Sequence, residues 1–275
     1  MNREENSGVR RQNSIRNNDR YGNALNVEEH MDPALLLFLS IGILTIAILY
    51  SCVGHGGASG YIAVMTIFGL SPMAIKPTAL VLNILVSCIA SIHFYRAGYF
   101  RSSLFWRFAV TSIPCAFIGG YFVLPAYLYK YIVVLILWFS AIQLFVQPVM
   151  QSYAIRIPSV HLCLLVGAML GLLSGLIGVG GGIFLSPLLI LMGWAGNKET
   201  AAVSAFFILA NSSSGLLGYV NGSHVLPPFA LNFAFAAVSG GLLGSYLGSR
   251  QLPVMSVQKI LSVVLLIAGY KVLFA

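Results

Sequence analysis

Apolar residues fill the chain from Ala34 to Ala275 in blocks separated by short polar or glycine-rich breaks. The blocks cover 34–53, 58–70, 78–95, 104–125, 130–147, 160–177, 182–194, 200–220, 228–248 and 256–274. A helix of about 20 residues crosses the hydrocarbon core of a bilayer. Eight blocks are near that length, and the thirteen-residue blocks 58–70 and 182–194 are too short. The pattern predicts an all-α polytopic membrane protein: about eight transmembrane helices plus two short re-entrant segments or half-helices, in two internal repeats.

The repeats rest on a register. Each short block follows a glycine cluster, Val53-Gly54-His55-Gly56-Gly57 in the first half and Ile177-Gly178-Val179-Gly180-Gly181-Gly182 in the second. At an offset of 124, Gly54, Gly56 and Gly57 fall on Gly178, Gly180 and Gly181, while Gly69, Tyr95 and Gly98 fall on Gly193, Tyr219 and Gly222. Such self-similarity marks an internal duplication. The expected organisation is a polar tail over 1–33, a first membrane repeat over 34–147, a linker over 148–159 and a second repeat over 160–275.

Composition narrows the class. Hydrophobic residues make up 58% of the chain and charged residues 8%, and the mean hydropathy is +0.89. A soluble domain carries about 25% charged residues, so the body is expected in a membrane. The tail holds five Arg and six acidic residues and too little apolar surface for a core, which predicts disorder. It lacks the apolar stretch of a cleavable signal peptide. After Asp32 the one acidic residue is Glu199, against ten Lys or Arg scattered over loops. Scattered cations make no nucleic-acid-binding stripe. Cys52, Cys88, Cys115 and Cys163 lie in apolar blocks without a C-x-x-C pair, so they read as buried small hydrophobes rather than zinc ligands or disulfides.

Basic loops favour the cytoplasmic side of a membrane. With eight spans and a cytoplasmic N-terminus, the tail, Arg96, Arg101, Arg107, Arg156 and Lys271 lie inside, and Lys76, Lys130, Lys198, Arg250 and Lys259 lie outside, ten against five. With ten spans the count is eight against seven. Eight spans with both termini in the cytoplasm is the preferred arrangement; ten elements, which make the repeats inverted, stay open.

Residues 175–189, Gly-Leu-Ile-Gly-Val-Gly-Gly-Gly-Ile-Phe-Leu-Ser-Pro-Leu-Leu, resemble the signature of the TauE/SafE permeases, the sulfite and organosulfonate exporter family. The resemblance runs on through Lys198-Glu199-Thr200-Ala201-Ala202 and, more weakly, covers Gly54 to Pro77. The first copy departs from the pattern, with His55, Ala58 and Ser59 where the second has Val179, Gly182 and Ile183. That argues against a symmetric pair of sites. The resemblance implies an inner-membrane permease that exports a small anion such as sulfite, a sulfonate or a carboxylate.

The residues carry a compatible chemistry. Glycines let a helix break at membrane depth, and the broken end offers amide N–H groups and a positive dipole to an anion. Tight helix packing through small residues is the competing reading. No Lys-Ser or Lys-Thr follows either cluster, which excludes a P-loop. His55 is an ionisable group within the first cluster, fit for proton exchange or for anion pairing. The block 200–220 carries Ser204, Asn211, Ser212, Ser213 and Ser214; its counterpart carries Thr78, Asn83, Ser87 and Ser91. The candidate substrate-binding residues are Gly54, His55, Gly56, Gly57, Asn83, Gly178, Gly180, Gly181, Gly182, Asn211 and Ser212. Lys76 reads as an anion-attracting or an interfacial lysine, and Pro72 and Pro77 as helix ends. The absence of Asp and Glu from every predicted span disfavours a cation cargo. The expected partners are a small anion and the lipid bilayer, with no nucleic acid, no cofactor and no metal; homo-oligomers stay open. An uncoupled channel-like facilitator and a non-transporting scaffold are the alternatives. An intramembrane enzyme lacks any matching motif.

Overall fold

The computed structural model describes residues 32–52, 57–146, 158–224, 226–250 and 254–274. Most of the predicted tail, most of the linker, and Gly54, His55 and Gly56 lie outside the described residues. Among the described residues there are ten helices and no strand: α1 Pro33–Cys52, α2 Ala58–Ile67, α3 Pro72–Arg96, α4 Ser102–Tyr121, α5 Ala126–Val146, α6 Val160–Ile177, α7 Gly182–Leu191, α8 Asn197–Asn221, α9 Ala230–Arg250 and α10 Val254–Phe274. The chain divides into a leading unit that ends at Phe38 and a main unit, Leu39–Ala275. The described part of the leading unit is the start of α1. There Asp32 accepts the Ala34 N–H at 3.0 Å and Pro33 follows it, as suits the first helical position.

The helix lengths of the two halves run in step. They are 20, 10, 25, 20 and 21 residues for α1 to α5, then 18, 10, 25, 21 and 21 for α6 to α10. Ten residues rise about 15 Å, half a hydrocarbon core, so α2 and α7 are half-helices. Five helices, α1, α3, α5, α6 and α8, are long and apolar enough to cross a membrane by length and composition.

Within the main unit α4, α6 and α8 pack side by side. A Cβ on Gly167, Gly171 or Gly175 would fall onto the carbonyl of Phe108, Ser112 or Ala116. These pairs ascend together, so α4 and α6 are parallel. Ser112 donates to Asn211, Ser214 donates to the Ile113 carbonyl, and Gly218 meets Phe117, so α8 is parallel to them. Small residues let these backbones approach and let short hydroxyls bond between helices. The outer surface is apolar instead: Leu135, Leu231 and Phe235 are 66%, 76% and 79% exposed. Polar contacts inside and large apolar side chains outside suit a lipid solvent better than water.

The loop before α4 and the start of α8 share one end of the bundle. Arg101 Nη1 lies 3.2 Å from Glu199 Oε2, and Lys198 Nζ donates to Tyr99 Oη at 3.0 Å. At the opposite end Tyr219 Oη, in the last turn of α8, donates to the Met73 carbonyl at the start of α3. This corrects the preferred eight-span arrangement, which sends Arg101 and Lys198 to opposite sides. The physical reason lies in α7. Because α6 and α8 are parallel, residues 178–196 must carry the chain back from the Tyr219 end to the Arg101 end. The first half does the same in the opposite sense. Gly60 meets Ile46 and Tyr50 while Gly42 meets Val64, so α2 runs back along α1.

Two smaller expectations change. Pro77 is not a helix end: α3 begins at Pro72 and continues through Pro77. A proline has no N–H for the carbonyl four residues back, and here Tyr219 supplies the missing donor to Met73. Of the cysteines among the described side chains, Cys163 is buried, Cys115 is half-buried and Cys88 is exposed.

Candidate functional site

The last turn of α6 ends at Ile177, whose carbonyl accepts a bond from Tyr129 Oη at 3.1 Å. Gly178 then turns left-handed, with φ +90°, and its N–H bonds the Ser174 carbonyl at 2.8 Å. Gly180 and Gly181 are left-handed too, each with φ +77°, and α7 begins at Gly182. A side chain in that conformation costs about 1–2 kcal/mol per residue, so three glycines in four positions make the break possible. Val179, the one side chain in the loop, is buried.

Space holds the same positions to glycine. A Cβ on Gly178 would lie 2.8 Å from the Lys76 carbonyl, and one on Gly181 2.9 Å from the Phe207 ring. On Gly180 it would lie 2.8 Å from Ile208, 3.0 Å from Ser212 Oγ and 3.4 Å from Asn83 Nδ2. On Gly182 it would press into Ile208. The loop therefore sits between the middle of α3 and the middle of α8.

Three polar groups close around it. Asn83 Nδ2 donates to the Gly178 carbonyl at 3.0 Å, which leaves Asn83 Oδ1 buried without a partner. Ser212 Oγ beside Gly180 and Ser174 Oγ below the turn are likewise buried and unpartnered. The first N–H groups of α7 have no carbonyl within their own helix. Unpaired groups in a water-poor interior cost about 1–3 kcal/mol each. Among the described residues no three His, Cys, Asp or Glu side chains gather to hold a metal ion.

The sequence candidates separate accordingly. Gly178, Gly180, Gly181, Gly182, Asn83 and Ser212 come together. Asn211 does not join them: its Oδ1 accepts from Ser112 Oγ at 2.7 Å, toward α4. Adjacent helical residues point about 100° apart, so Asn211 faces α4 while Ser212 faces the loop. Ser204 bonds Ser186 at 2.9 Å and Ser214 bonds the Ile113 carbonyl, both ties between helices. Gly57, from the first cluster, caps the start of α2 with φ +69°. Gly54, His55 and Gly56 lie outside the described residues.

Lys76 corrects an expectation. It is 2% exposed rather than interfacial. Its ammonium donates to the carbonyls of Gly119, Gly120 and Phe122 at 3.1, 2.9 and 2.7 Å, which satisfies its three donors and caps the end of α4. Ser174 and Tyr129 were missed from sequence. Ser174, four residues before Gly178, carried a usable signal, because that spacing places it one turn below the break.

Fold and site together define an all-helical, membrane-embedded protein whose helix opens at a polar, buried glycine loop. The chain belongs to the TauE/SafE family: the model described as "Sulfite exporter TauE/SafE" matches residues 38–272. It is also 38% identical over 240 residues to a protein of Sinorhizobium fredii (strain NBRC 101917 / NGR234) named "Probable membrane transporter protein y4hK". That match covers 86% of this chain and 97% of the relative. No solved structure matches the chain. Family and relative together support a membrane transporter.

Proposed function

We propose that this protein is a secondary transporter of the cell inner membrane that exports small anions such as sulfite, organosulfonates or related organic acids. The observation that carries the reading is the 178–181 loop, where a helix start meets the buried, unpartnered hydroxyl of Ser212. A helix N-terminus attracts negative charge, and no described carboxylate bonds these groups. Gly178, Gly180, Gly181 and Gly182 give backbone access, Asn83 holds the loop, and Ser212 donates to the anion.

The matched helix lengths and the opposite sense of the halves support two inverted repeats with ten crossings, each half-helix and its glycine loop counting as one. Ten crossings leave the charged loops nearly balanced, so the count that favoured cytoplasmic termini falls away. An even number still returns the chain to its starting side. Substrate passes by alternating access as one repeat rocks against the other.

The test is flux in proteoliposomes. Labelled sulfite, a labelled alkanesulfonate and a labelled monovalent cation are compared in the native chain and in Gly180→Val. Selective anion flux that the substitution removes is the expected result. Cation flux, or no anion flux in the native chain, overturns the reading.

A further inference from the structure

The start of α2 carries a second set of donors that the 178–181 loop does not use. Gly57 is left-handed at the N-cap, with φ +69°, and α2 runs ten residues from it. Tyr61 is fully buried, and its ring folds back over that start: a Cβ on Gly57 would lie 2.8 Å from Tyr61 Oη. Tyr61 Oη has no hydrogen-bond partner. Beside it, Tyr50 Oη and Ser59 Oγ hydrogen-bond each other at 2.7 Å, and neither reaches Tyr61 Oη.

A buried phenol that finds no acceptor is costly, and here it lies beside the N-cap of a helix whose first N–H groups have no carbonyl within their own helix. The phenol O–H and the first N–H groups of α2 are donors at the positive end of a helix. An acceptor-only group with negative charge satisfies both the phenol and the amides. A cation would meet the wrong end of the dipole.

We propose that the start of α2, with the Tyr61 hydroxyl, is a second oxyanion-binding site, sharing no residue with the one at α7. The proposal rests on the anion-carrier reading above. In the structure Ile208, Ser212 and Asn83 stand nearest Gly180, whereas the atoms nearest Gly57 belong to the Tyr61 ring and hydroxyl.

Equilibrium binding of labelled sulfite to the full-length protein in nanodiscs, without oxygen, tests this. The native chain is expected to bind two equivalents. Tyr61→Phe, which keeps the ring, should weaken one equivalent at least tenfold and leave the other. Ser212→Ala should do the converse. One equivalent in the native chain overturns the second site, and that measurement depends on no variant's folding. Two equivalents in Tyr61→Phe also overturn it, since water alone then satisfies the phenol, while the anion reading stands. No sulfite bound to the native chain overturns both.

Discussion

The two half-helices begin alike and are walled differently. Gly57 and Gly181 occupy the same register, cap ten-residue helices and share a left-handed turn, with φ +69° and +77°. Around Gly181 and its neighbours stand Phe207, Ile208, Asn83 and Ser212; around Gly57 stands the Tyr61 phenol. The same left-handed glycine start thus occurs twice in different side-chain surroundings. Glycine fixes where the helix opens, and the neighbouring helices decide what the opening meets.

The sharpest way to break this comparison is to put a valine into each glycine cluster. Gly180→Val adds left-handed strain and overpacks Ile208 and Ser212. The combined cost is about 3 kcal/mol, and the expected fall in sulfite flux is about 100-fold if that cost lands on transport. Gly57→Val is comparably strained and should lose stability to a similar degree, yet keep roughly a tenth of the flux, because Asn83 and Ser212 remain in place. Thermal unfolding and flux measured on both variants separate the two effects. Equal loss of flux would mean that both starts do the same work.

A second contrast lies one helix on. α3 and α8 each run 25 residues and each carry a charge near their start. Lys76 is buried and spends its ammonium on the end of α4, whereas Glu199 stays near the surface and caps its own helix through Gly196 N–H at 3.1 Å. Lys76→Met leaves three carbonyls without donors and should cost about 3 kcal/mol. A lowered melting temperature in detergent checks this. An unchanged one would show that water or a neighbour replaces the ammonium.

Helix positions were legible because lipid demands long apolar runs, and the half-helices because glycine clusters preceded runs too short to span. What the sequence hid lies between elements. The predicted block 78–95 is really Pro72–Arg96, because a proline within a helix is tolerated when another chain segment satisfies the freed carbonyl. That segment is Tyr219, 146 residues away. Asn211 and Ser212 looked equivalent, yet one step around α8 sends them to different neighbours. Reading the short blocks as re-entrant reversed α8, and no local pattern announces that Lys198 meets Tyr99.

The tie between Tyr219 and Pro77 makes its own test. Tyr219→Phe removes the donor to Met73 and should cost about 1 kcal/mol. In a Pro77→Ala background the helix regains an N–H for that carbonyl, so the same change should cost less. A double-mutant cycle in thermal stability reads the difference. Additive effects would mean that the Tyr219 bond and the proline act independently.

The smallest effect belongs to the surface partner of the Lys76 contrast. Arg101 and Glu199 are 41% and 28% exposed at their side chains, so solvent screens the pair. Glu199→Gln keeps an oxygen for the Gly196 N–H and removes only the charge, which should cost less than about 1 kcal/mol. The cost should shrink further in high salt, because exposed pairs are screened within a few ångströms there. Glu199→Ala also loses the cap and should add about 1 kcal/mol that salt does not change. Melting curves at low and high salt separate the two terms. A salt-independent loss in Glu199→Gln as large as that of Lys76→Met would erase the distinction between a buried charge that closes a neighbour's helix and a surface charge that closes its own.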